Sequence, residues 1–128
     1  EHLPAGLVSD QPCMTIDFTY SLARITGLRQ KERSGLDGMD ILQHLTSKRL
    51  NTPRTMHWRA RRGNRTWKAI RHGDWKYVHK IEGGNQESWL FDLASDPEET
   101  HNRLQQASSQ RLGLQALLER WEAEVRLR

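Results

Sequence analysis

Six histidines, His2, His44, His57, His72, His79 and His101, are the side chains of this 128-residue chain best able to move protons near neutral pH or to ligate a metal. None lies three to five residues from another histidine or a cysteine, and no His-Glu-x-x-His run occurs, so the spacing carries no metal signature. His57 and His79 fall in strand-like stretches, where a surface or half-buried imidazole is the simplest reading. Cys13 is the single cysteine, which excludes an internal disulfide and a cysteine-clustered zinc site. Gly83-Gly84 precedes a strand-like run rather than a helix, and no Gly-Lys-Ser/Thr follows a glycine loop, so a phosphate cradle is not encoded. No Gly-x-Ser-x-Gly elbow presents a serine nucleophile. The carboxylate pair Glu98-Glu99 sits at a helix-start signal, where capping and the helix dipole account for it without catalysis.

What remains is charge. The net +4 is unevenly distributed: residues 48–80 hold eleven Arg/Lys against one acid, whereas the flanking segments are both net acidic. This basic block, from Lys48 to Lys80, suits an anionic partner such as nucleic acid, a sulfated or phosphorylated ligand, or an acidic protein surface. It suits better the solvated face of a sheet whose other face is core, paired in part with the acidic C-terminal third. Trp and Arg interleave over 58–76, a pattern that can stack bases. Strand alternation, however, is expected to send the tryptophans and most basic residues to different faces, leaving the indoles in the core. The 35% apolar content supports one modest core around five tryptophans. No stretch nears the roughly 20 apolar residues of a membrane-spanning helix, so no membrane partner is expected.

The elements that must position these groups follow from the period of the pattern. Residues 1–14, with Pro4, read as an irregular lead-in. A helix fits 16–26, with Thr15 as N-cap, Asp17 in the first turn, Phe18, Leu22 and Ile25 on one face, and Gly27 closing the end in left-handed geometry. A short helix at 40–46 follows, with Ile41, Leu42 and Leu45 as its apolar contacts, and Leu50 to Pro53 make a break. From Arg54 the period becomes two: Met56, Trp58 and Ala60 form the expected buried face of a first strand. Gly63-Asn64 is a turn, Trp67–Arg71 a second strand, His72-Gly73-Asp74 a tight hairpin, and Trp75–Ile81 a third strand. Glu82–Glu87 reads as a flexible loop, and Trp89–Leu93 as the fourth strand. Asp96-Pro97-Glu98-Glu99 reads as a helix start with Asp96 as N-cap. The closing helix spans Ser108 to Arg126, with Leu114, Leu117, Leu118, Trp121 and Val125 as its apolar stripe and Arg111, Gln115, Glu119, Glu122 and Arg126 on the wet side.

Two runs then carry a family resemblance: Ala69-Ile70-Arg71-His72-Gly73-Asp74-Trp75-Lys76-Tyr77, and Trp89-Leu90-Phe91-Asp92-Leu93-Ala94-Ser95-Asp96-Pro97-Glu98-Glu99-Thr100-His101-Asn102. Together with Ile16-Asp17-Phe18 through Gly27, Leu36-Asp37-Gly38 through Leu45, and Arg54 to Trp58, they resemble the C-terminal region of type I, formylglycine-dependent sulfatases. The resemblance covers about residues 3–125. Tyr20-Ser21 departs from it, standing where the family commonly has Pro-Thr. The family's nucleophile motif, Cys/Ser-x-Pro-x-Arg, has no match: Cys13 is followed by Met14-Thr15-Ile16, and Ser95-Asp96-Pro97-Glu98-Glu99 ends in Glu where Arg is required.

The resulting expectation is an α+β fold: a four-stranded antiparallel sheet with a C-terminal helix packed on one face, preceded by two helices. Residues 1–47 are expected to be the tail of a sulfatase catalytic α/β domain and 48–128 the C-terminal subdomain. The resemblance implies a sulfuric ester hydrolase whose calcium and formylglycine belong to a missing N-terminal domain, with no cofactor and no catalytic or metal residue in this chain and no turnover by it alone. Its partners would be the rest of the catalytic domain and, in the intact enzyme, a sulfated substrate, in an extracytoplasmic compartment (periplasmic, secreted or lysosomal). His57, Arg59, Arg71 and the 82–87 loop are the candidates for a substrate rim. Without its parent, the first helix would expose Phe18, Leu22 and Ile25, which would favour a homo-oligomer or burial against the chain's own sheet. The alternative is a stand-alone basic module that binds nucleic acid or sulfated polysaccharide.

Overall fold

The computed structural model describes residues 3, 5–29, 31, 32, 35–47 and 51–126. His2, Pro4, Lys48 and Leu50, singled out above, lie outside the described residues, as does the side chain of Arg126. The chain forms two compact units, residues 1–52 and 53–128.

In the first unit, α1 spans Thr15–Ile25 and α2 spans Ile41–Thr46. Helix α1 starts one residue earlier than its sequence suggests, with Met14 rather than Thr15 as N-cap. The cause is Asp17, whose carboxylate reaches back to accept the Met14 N–H at 2.6 Å and so draws Thr15 into the first turn. At the other end Gly27 has φ +87°, and the N–H groups of Gly27 and Leu28 donate to Arg24 and Ala23, closing the helix as a Schellman turn. Asp40 caps α2 by accepting the Gln43 N–H at 2.9 Å.

The face that α1 buries is its polar one. Asp17 and Ser21 are each 0% exposed, whereas Phe18, Leu22 and Ile25 are 51%, 56% and 62% exposed. Asp17 accepts the Met39 N–H at 2.9 Å, and Ser21 takes the Ile41 N–H at 2.9 Å while donating to the Asp17 carbonyl. The incoming 38–41 segment is therefore held by hydrogen bonds rather than by an apolar stripe. Gly38 makes this approach possible, because a Cβ there would strike the Ile16 carbonyl.

The second unit is a four-stranded meander in the order β1-β2-β3-β4, with β1 Thr55–Arg62, β2 Arg65–His72, β3 Trp75–Glu82 and β4 Asn85–Asp92, all pairs antiparallel. Each connection is a two-residue turn, so pairing continues to the last residue. Gly63 and Gly73 take positive φ at the first turn position, and Gly83 and Gly84 take it at both (φ +57° and +90°). The 82–87 segment is thus a tight hairpin and not the flexible loop expected: Glu82 pairs with Asn85, and β4 begins four residues before Trp89. Pairing also extends β2 to Arg65 at one end and His72 at the other.

Asp96-Pro97-Glu98-Glu99 corrects a second expectation, since it builds a turn and no helix. Glu99 sits at φ +58°, which stops helical propagation. Asp96 instead accepts from Thr100 N–H, Thr100 O–H and His101 N–H, folding the chain around its own carboxylate. Helix α3, Ser108–Arg126, then covers one sheet face. Leu114 and Leu118 enter a core of Ile70, Tyr77 and Leu90, flanked by Trp75, Leu117 and Trp121.

Candidate functional site

Register assigns every strand residue to a face. Facing α3 are His57 and Arg59 on β1, Lys68 and Ile70 on β2, Tyr77 and His79 on β3, and Ser88 and Leu90 on β4. The expected buried face of β1 holds only at Met56, which is 3% exposed; Trp58 and Ala60 on that face are exposed, and it is His57 that points to the helix and stacks on Trp121 at 4.9 Å with planes 6° apart. Burial holds the His57 imidazole below its ordinary pKa, with Glu124 opposing.

Between α3 and the sheet lies a polar seam around a cavity of about 230 Å³. Ser88 Oγ lies 3.0 Å from Tyr77 Oη and 2.9 Å from His79 Nδ1, Gln115 donates to Tyr77 Oη at 3.0 Å, and Lys68 Nζ pairs with Glu122 at 2.8 Å. Gln115 and Glu122 therefore turn to the sheet and not to solvent as the helical wheel suggested. Burial first, then Lys68, lowers the His79 pKa, and Glu122 opposes them. Every polar atom named here has a partner, so the seam reads as an internal lock between helix and sheet.

The opposite face is where the sequence reading fails most informatively. Trp58, Trp67 and Trp89 all lie on it, and so do Arg62, Arg65, Arg71, Lys76 and Lys80. Trp58 and Trp67 are each 39% exposed. Trp67 packs near-parallel to Trp89, 5.9 Å apart with planes at 18°, and Lys80 Nζ sits 5.6 Å from the Trp67 ring. Three of the four strand tryptophans and most strand cations therefore share one face, while Trp75 packs on the α3 side against the core. Trp67, Arg62 and Arg65 went unrecognised as a group, although the two-residue turn at Gly63-Asn64 fixes the pairing Arg62↔Arg65.

Of the rim candidates, His57 and Arg59 come together beside Trp121, with the Arg59 guanidinium carbon 5.8 Å from that ring. Arg71 is on the other face, where its Nε donates to the Gly73 carbonyl at 2.9 Å. The structure does not bring the three to one place. Among the described residues no three His, Cys, Asp or Glu side chains converge as metal ligands, so the calcium implied by the resemblance finds no donor set among them. No helix among the described residues is long and apolar enough to cross a membrane.

No protein-family model and no curated protein matches the chain. Solved structures do. A protein of Bacteroides fragilis assigned as a sulfatase superposes with a TM-score of 0.68 at 17% identity, over 87% of this chain and 25% of that one. A 2-O GAG sulfatase gives 0.64 at 20% identity, over 84% and 24%. A structure holding its substrate D-glucosamine-2-N,6-O-disulfate gives 0.62 at 20% identity, over 84% and 23%. The chain thus spans about a quarter of the length of the structures it matches, and its two helices, meander and closing helix have the fold of that quarter of a sulfatase.

Proposed function

We propose that this chain is the C-terminal supporting region of a sulfatase-type sulfuric ester hydrolase, seated against the rest of the catalytic domain. The observation that carries the reading is the outward apolar stripe of α1, Phe18, Leu22 and Ile25, on a chain whose fold accounts for only a quarter of each sulfatase it resembles. A folded unit that buries Asp17 and Ser21 in hydrogen bonds and leaves the apolar side chains of the same helix outside is built to meet another apolar surface. Sulfate-ester hydrolysis needs an activated nucleophile, groups to hold the sulfate oxygens and an acid for the leaving group. This chain offers cations for the second task only, and a formylglycine and calcium would be supplied by the remainder.

In the intact enzyme the substrate class would be a sulfated sugar, in keeping with the substrate of the disulfated-glucosamine neighbour, and the compartment extracytoplasmic. Arg59, exposed beside His57, is the rim candidate best placed to reach a ligand held elsewhere; Arg71 is occupied with its own turn. The test has two arms. The chain alone, with calcium added, is expected to give no turnover of 4-nitrophenyl sulfate, and the reading frame ahead of residue 1 to encode a Cys/Ser-x-Pro-x-Arg motif. Turnover by the chain alone, or a frame without that motif, overturns the reading.

A further inference from the structure

We propose that the sheet face turned away from α3, at the end carrying the Gly63-Asn64 and Gly83-Gly84 turns, is a binding site for a sulfated saccharide. Arg62 and Arg65 are direct register partners, two like charges across a strand pair, an arrangement that is destabilising unless something anionic answers it. Of the two arginines Glu82 answers only Arg65, and it is shared with Lys80. The Arg62 guanidinium has no ion-pair or hydrogen-bond partner among the described residues. Both arginines line a concavity of about 420 Å³ with Ala60, Asn64 and Trp67, within the usual size range of small-ligand sites.

Register explains the hollow. Ala60 stands opposite Trp67, so a methyl group faces an indole and leaves room beside the ring. A sugar ring has an apolar C–H face that can lie on an aromatic plane, and Trp89, stacked near-parallel on Trp67, braces that ring. A sulfate ester on such a ring presents oxygens that a guanidinium can take two at a time. A polynucleotide fits less well: Lys80 is shared with Glu82 and Glu87 and Lys76 pairs with Glu99, so positive charge does not run unbroken along the face from Arg62 to Arg71. The choice of sulfate over other anionic sugars rests on the sulfatase reading above.

The test is titration of the chain with a sulfated heparin disaccharide and its unsulfated counterpart, followed by calorimetry and tryptophan fluorescence. Saturable binding of the sulfated form is expected, with the unsulfated form at least about tenfold weaker, one charge-assisted contact being worth about that factor. Arg62→Gln should lose about tenfold with its circular dichroism unchanged, because that guanidinium supports nothing in the fold; Trp67→Phe should reduce the fluorescence response. Absence of saturable binding, equal affinity for the unsulfated sugar, or an unaffected Arg62→Gln variant overturns the proposal. Equal or tighter binding of a single-stranded oligonucleotide overturns the choice of saccharide. Failure here leaves the supporting-region reading standing, since that depends on α1 and the upstream reading frame, and failure of that reading leaves a measured binding intact.

Discussion

Asp96 holds the corner between β4 and α3 by accepting three hydrogen bonds from Thr100 and His101, and these N–H and O–H donors, the His101 N–H foremost, draw its carboxyl pKa down to about 2. A carboxyl depressed below its unfolded value of about 3.9 contributes stability that is complete above that pH and is lost as pH falls through about 2. Asp96→Asn is therefore expected to lower Tm at neutral pH and to flatten the acid limb of a thermal-denaturation series between about pH 4 and pH 2. A variant whose acid limb matches wild type would remove Asp96 from that role. His57 and His79 act in a higher window with the same sign. Burial lowers both pKa values, so the unfolded chain takes up protons first as pH drops below about 6.5, and stability declines from there toward the depressed folded values. His57→Phe keeps a ring on Trp121 and removes the proton site. It is expected to reduce the loss of Tm between about pH 7 and pH 5, and proton NMR of the wild type should show both imidazoles titrating below the ordinary histidine value.

Helix α3 and the sheet meet through two kinds of contact, and each has its own signature. Leu118→Ala opens a cavity beside Ile70 and Tyr77 and is expected to cost about 2–5 kcal/mol by chemical denaturation. Lys68 and Glu122 are largely shielded from water, so removing either alone strands the other. Lys68→Met and Glu122→Leu should each destabilise, while the double variant recovers most of the loss; additive losses in the cycle would show that the pair does not couple. Much at this scale was legible in the sequence. Gly63, Gly73 and the periodic stripe of Leu114, Leu118 and Trp121 placed two of the three strand connections and a helix, because backbone sign and period are local properties, whereas the Gly83-Gly84 hairpin reads from the sequence as a flexible loop. Which face of β1 meets α3 was not legible: alternation separates Trp58 from His57 without saying which one the helix touches, and hydropathy marks Met56, which is buried, together with Trp58, which is not. Asp-Pro-Glu-Glu misled for a related reason, since the same side chains that cap a helix also close a turn. The inversion of α1 was hidden as well, because Asp17 and Ser21 are buried to serve the Met39 and Ile41 N–H groups, partners twenty or more residues away. For the candidate site, the composition of the basic block was readable and its assembly was not: Arg62, Arg65 and Trp67 become neighbours only through register.

At the scale of the whole molecule, the apolar stripe on α1 makes opposite demands on the isolated chain and on a longer protein containing it. In isolation, Phe18, Leu22 and Ile25 are exposed, and burying a large apolar side chain is worth about 1.5–3 kcal/mol, enough to drive copies together at high concentration. Replacing all three with serine touches no internal contact of Asp17 or Ser21, so the helix and its hydrogen bonds to Met39 and Ile41 should persist. The triple variant is therefore expected to be more soluble and more uniformly monomeric by light scattering, with stability changed by about the small helix-propensity differences alone. In a full-length enzyme the same three serines would face the surface that the stripe is proposed to meet, and there the expected result is loss of soluble, active protein. A gain in one setting and a loss in the other is the pattern of an internal interface. A variant that leaves both settings unchanged would mean that the stripe meets nothing, and the role of this chain as a support would lose its main physical argument.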